Sequence, residues 1–186
     1  MKKSLSKIAQ ELNSKLEKAY DDSVSEMPKK GAGDYSLCKQ YLAMLKAMRD
    51  YYQYCHWVTK GDPYYGDHTM FEKLYFSVLG ELDKAGEKFV GLCDESVVFA
   101  PEISSLSAKI LFTFKDQDPK NITAFELAEA GYKMEQKFLE LSEEFYKKSK
   151  EDGTMTMGLD DMLMSNYNNH ESNVYLLSQR TKKVYM

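Results

Sequence analysis

Two of the three histidines in this 186-residue chain, His56 and His68, lie twelve positions apart, and the acidic residues Glu72, Asp83 and Glu87 follow the second at intervals of four, eleven and four. At 100° per residue on a helix, His68, Glu72, Asp83 and Glu87 fall at roughly 0°, 40°, 60° and 100°, so the four share one face. Imidazole nitrogen combined with hard carboxylate oxygen is a donor set for iron or another divalent transition metal. The axial rise adds a constraint. Glu72 and Asp83 stand roughly 16 Å apart along such a helix, too far for one ion to touch both pairs. A two-fold axis that runs the helix antiparallel to its copy brings His68 and Glu72 of one chain against Asp83 and Glu87 of the other, which predicts a metal site at a dimer interface. A centre inside one bundle, built on two Glu-x-x-His motifs, is disfavoured because the chain contains no Glu-x-x-His. The competing reading is a solvated polar face; Tyr75 and Leu79 fall on the same face and interrupt a clean polar stripe.

These residues need long helices to position them. Cys38, Tyr41, Leu45, Met48, Tyr52 and Cys55 recur at steps of three and four, which predicts a helix from about Leu37 to near Trp57 with His56 at its end. Lys60-Gly61-Asp62-Pro63 supplies turn chemistry, and Phe71, Leu74, Tyr75, Val78, Leu82, Phe89 and Val90 mark a second helix. Between Asp94 and Asn121, Pro101, Pro119 and several serines break the pattern, leaving room for one short helix over Ser105 to Phe114. A third long helix is expected from about Thr123 to Lys150, stopped by Asp152-Gly153, and a fourth from near Leu159 through Leu177. No run reads as a strand. Four long amphipathic helices with a long crossover after the second predict an all-α, ferritin-like four-helix bundle with a short extra helix in that crossover. The organisation read from the sequence is a basic amphipathic extension over 1–34, the bundle over 35–179 and a short basic tail over 180–186.

Composition narrows the function classes. A formal net charge of −4 and a pI near 5.5 argue against bulk electrostatic nucleic-acid binding. Cys38, Cys55 and Cys93 are odd in number and widely spaced, so they fit reduced core thiols rather than a disulfide framework or a zinc motif. The basic start, Met1 to Lys7, lacks the apolar run of a signal peptide, and no stretch reaches membrane-span length, so a cytoplasmic protein is expected.

His56-Trp57-x-x-x-Gly61, then His68, Glu72, Asp83 and Glu87, resembles the signature of the Dps family, the DNA-binding proteins from starved cells. The resemblance spans roughly Tyr35 to Gln179, with one departure at Glu72, where the family usually carries aspartate. It implies a ferroxidase in which His56, His68 and Glu72 of one subunit and Asp83 and Glu87 of its partner bind Fe(II), which peroxide or oxygen then oxidises. It further implies a hollow homododecamer that stores ferric mineral, protection against oxidative stress, and a possible place on the nucleoid. Trp57, or Tyr75, is a candidate electron relay to the site, against a plain packing role. Asp152, Asp160 and Asp161 are candidates for an acidic pore admitting iron at a three-fold axis, against the alternative that they favour a helix N-terminus. Lys2, Lys3 and Lys7, with further lysines and Arg180 near the two ends, are candidates for DNA phosphate contacts, effective if many subunits present them together. His170 is read as structural or exposed and is left out of the site, and the methionines are read as core filler. The rival function is a DNA-condensing or scaffold assembly of the same fold with weak or no ferroxidase activity.

Overall fold

A computed structural model describes residues 35–114 and 117–182. The elements are α1 (Ser36–Val58), α2 (Tyr64–Leu92), a single 3-10 turn (Glu95–Val98), α3 (Ala100–Leu111), a second 3-10 turn (Phe112–Phe114), α4 (Ala124–Glu151) and α5 (Met157–Thr181). No strand occurs among the described residues. α1 packs along α2 and α4 along α5, while α3 lies against α1. This is the ferritin-like arrangement, with the short helix in the crossover between the second and third long helices.

Local chemistry sets the boundaries. Thr123 and Glu126 form a reciprocal capping box at the start of α4, with the Thr123 side chain accepting from the Glu126 N–H and Glu126 accepting from the Thr123 N–H. Gly153, at φ +68°, takes the left-handed conformation that ends α4 and lets the chain reverse into α5, where Thr156 caps the first turn. The crossover helix starts at Ala100, earlier than the position of Pro101 suggested. Proline occupies the first turn of α3, where its missing N–H has no helical partner to lose.

Tyr41, Tyr52, Phe71, Phe89 and Phe138 are fully enclosed and form the aromatic centre of the core. Tyr41 lies against Phe89, Phe138 and Phe145 at ring separations of 4.9 to 5.8 Å. Cys55 is buried, Cys38 and Cys93 are half-buried, and all three are free thiols. Met44, Met48, Met134 and Met162 are core residues, whereas Met157 and Met164 are exposed. None of the described helices is long and apolar enough to cross a membrane.

Arg180, assigned from the sequence to a basic tail, is part of α5. Its guanidinium holds buried Asp67 through both carboxylate oxygens at 2.9 to 3.1 Å, tying the end of α5 to the start of α2. That fork satisfies a buried carboxylate, so Arg180 is committed within the fold rather than offered to phosphate.

Candidate metal centre

His56 sits in the last turn of α1 and His68 in the second turn of α2, and the short link between the helices brings them face to face. Their rings stack at a centroid separation of 3.8 Å and an angle of 22°. Each ring nitrogen Nδ1 meets the other residue's backbone carbonyl, His56 Nδ1 to His68 O at 3.0 Å and His68 Nδ1 to His56 O at 2.8 Å. A carbonyl only accepts, so both Nδ1 atoms donate, and the tautomer these bonds select places the lone pair on Nε2. Two imidazoles are thereby held with one lone-pair nitrogen each, the kind of outer-sphere fixing that histidine ligands ordinarily show. Tyr64 stacks on His68 at 4.9 Å and Tyr75 meets His56 edge-on at 5.6 Å, closing the pair on two sides.

Glu72 follows one turn after His68 and is half-buried, and Asp83 and Glu87 lie further along α2 and are exposed. As the spacing requires, the candidate residues of a single chain form two separate groups. Among the described residues no three histidine, cysteine, aspartate or glutamate side chains converge to hold a metal ion. The face between the two groups is apolar, with Phe76 56% and Leu79 42% exposed, and Trp57 stands 69% exposed beside His56. Large apolar side chains interleaved with exposed carboxylates on one helix are the composition of a covered contact surface rather than of a solvated stripe.

Asp152 caps the end of α4, its carboxylate 2.8 Å from Lys148 Nζ. Asp160 stands in the first turn of α5, 3.8 Å from Lys150 Nζ, and Asp161 is exposed. Lys2, Lys3 and Lys7 lie outside the described residues.

His170, read from the sequence as structural or exposed, is structural. Its side chain is 0% exposed, on the core face of α5, with Nε2 2.7 Å from Glu81 Oε2 and Nδ1 bonded to Glu135 Oε2. Burial by itself pushes this imidazole down; the hydrogen bonds to Glu135 and Glu81, and then their charges, override it and carry the group up to about 9. Tyr52 donates to Glu135 Oε1 at 2.5 Å, and its hydroxyl is pushed well up by burial and then by that carboxylate. The signal was available in the apolar pattern. Glu81 falls between Val78 and Ala85 on the core stripe of α2, Glu135 beside Met134 and Phe138 on that of α4, and His170 between Asn166 and Leu177 on that of α5.

The fold has a solved counterpart. The X-ray structure of Dps from Thermosynechococcus elongatus superposes with a TM-score of 0.66 and 16% sequence identity, over 81% of this chain and 90% of that one. No protein-family model matches the chain, and no curated protein sequence matches it either.

Proposed function

We propose that this chain is a Dps-like miniferritin, a ferroxidase that binds Fe(II) as substrate at a site shared by two copies of α2 and stores the ferric product inside a homo-oligomer. The observation that carries the reading is the reciprocal lock between His56 and His68, which fixes two Nε2 lone pairs at one end of a face whose other end carries Asp83 and Glu87. The bundle fold it shares with a Dps is consistent with that reading.

In the antiparallel pairing of two α2 faces, His56, His68 and Glu72 of one copy meet Asp83 and Glu87 of the other. Neutral imidazole with hard carboxylates accepts Fe(II) and holds the harder Fe(III), and few protein ligands leave coordination positions for the oxidant. With peroxide the balance is two Fe(II), one H2O2 and two protons to two Fe(III) and two waters. Phe76, Leu79 and Trp57 supply the apolar area that draws the two faces together.

The decisive experiment is complementation. Fe(II) is added anaerobically, peroxide follows, and ferric absorbance is recorded for the parent, His56→Ala, Asp83→Ala, and the two variants unfolded and reassembled together. Each variant alone loses rapid oxidation. Random reassembly restores about a quarter of the parent's sites, because half of the dimers are mixed and each mixed dimer has one site intact. No recovery on mixing sinks the shared site. Oxidation no faster than in buffer for the parent sinks the ferroxidase and leaves the scaffold reading.

A further inference from the structure

The side chains of Glu81, Glu135 and His170 meet inside the bundle, one from each of α2, α4 and α5. Glu81 points roughly 160° away from Asp83 around α2, so this cluster is separate from the outer face. It is built in layers. Glu135 is bonded to His170 Nδ1 and is itself held by the Tyr52 hydroxyl at 2.5 Å and the Asn173 amide at 3.3 Å. On the other side of the ring, Glu81 reaches His170 Nε2 at 2.7 Å and accepts from Asn169 at 3.1 Å and Ser77 at 3.4 Å. Phe138 lies against the imidazole with ring centroids 3.9 Å apart.

The two sides of the ring face different surroundings. Glu135 is 0% exposed, sealed in the core. Glu81, with Asn166 and Asn169, lines a cleft of about 650 Å³ between α2 and α5, whose walls also carry Glu87 and Asp161 alongside Lys84 and Lys88. The cleft therefore opens the Glu81 side of the ring toward solvent, whereas the Glu135 side is closed. A carboxylate on buried Nδ1–H, with the opposite nitrogen turned toward a second carboxylate and a polar cleft, is the carboxylate–histidine–metal pattern without its ion. The formal charges agree: an imidazolium between two carboxylates leaves −1 in the core, whereas a divalent cation in place of the Nε2 proton brings the sum to zero.

The geometry points to a divalent transition-metal site at the floor of the α2–α5 cleft, with His170 Nε2 and the Glu81 carboxylate as ligands and Glu135 as the positioning residue that orients the ring. Cleft water completes the shell. Metal–ligand distances of about 2.0–2.1 Å at a tetrahedral angle set N and O roughly 3.3 Å apart, so Glu81 withdraws by about half an ångström to admit the ion. The Nε2 proton leaves to solvent as the ion binds.

The test uses His56→Ala/His68→Ala, in which His170 is the sole remaining histidine, so any imidazole around a bound metal identifies it. Zn(II) is titrated by calorimetry and the loaded protein is read by X-ray absorption. The expected result is about one ion per subunit with one imidazole in its shell and a proton released near neutral pH, weakened at least tenfold by adding Glu81→Gln. Absence of imidazole scattering, or an affinity that Glu81→Gln leaves unchanged, overturns the proposal. Circular dichroism checks the fold of each variant. In the unsubstituted chain, Co(II) is expected to shift the His170 ring 15N resonances, and an unmoved pair overturns the proposal with the native cluster intact. Because both outer histidines are absent in the main experiment, failure of the interface ferroxidase leaves this result untouched.

Discussion

The outer face of α2 and the core behind it use the same side chains in opposite ways. Outside, His56 and His68 are pinned by backbone carbonyls through one ring nitrogen each, and in the proposed function a second copy completes their ligand set. Inside, His170 has a carboxylate on each ring nitrogen, and those carboxylates have their own donors. A histidine held through one nitrogen is poised for a ligand. A histidine held through both is, until something displaces a partner, part of the scaffold. The difference lies in which atoms are committed, and residue type alone does not reveal it.

The sharpest way to break this comparison is to remove one acidic partner from each region. Glu135→Ala takes the acceptor from the buried His170 Nδ1–H and leaves the Tyr52 hydroxyl only the Gly131 carbonyl at 3.4 Å, and losing one partner of a buried, hydrogen-bonded charge cluster costs about 3–5 kcal/mol. Asp83→Ala removes an exposed carboxylate, and its effect on stability is expected within about 0.5 kcal/mol, as for surface changes generally. Urea unfolding of the two variants under identical conditions decides it; comparable losses would show that the inner cluster is not the committed scaffold described.

A pH series probes the same contrast with no substitution. The folded-state value for His170, about 9, lies above its ordinary value of 6.5, so its contribution to stability is complete below about pH 6.5 and is lost as pH rises through 9. A shift of that size corresponds to about 3 kcal/mol, to be read as a falling urea midpoint between those limits. His170→Asn should flatten the profile over the same window, and an equally steep fall in that variant would assign the pH dependence to other groups.

The fold was legible because its information is periodic. Apolar steps of three and four marked α1, α2, α4 and α5, and Asp152-Gly153 marked the break before α5. The misplaced start of α3 came from treating Pro101 as a breaker when a helix tolerates proline in its first turn. The shared face of His68, Glu72, Asp83 and Glu87 followed from angle alone, whereas the exchange of Nδ1 bonds between His56 and His68 depends on how the α1–α2 link folds, and no spacing rule encodes it. The structural place of His170 was read from the sequence, but its partners were not, because they are 35 and 89 residues away and only the superposition of three core stripes brings them together.

The smallest expected effect separates two aromatic residues beside the outer pair. Tyr75 meets the His56 ring edge-on at 5.6 Å, while Trp57 is next to His56 in sequence and 69% exposed. If an aromatic ring passes an electron to the iron site, contact with a ligand favours Tyr75, and burial of Trp57 against a second copy would bring the indole into competition. Tyr75→Phe is expected to slow ferric formation by a few fold, about 1 kcal/mol in the barrier, with Fe(II) stoichiometry unchanged. Trp57→Phe is expected to change the rate less. Stopped-flow absorbance of both variants after peroxide addition, with radical signals followed by electron paramagnetic resonance, separates the two residues. A larger loss in Trp57→Phe would reverse the assignment and place the indole at the seam between the two α2 faces.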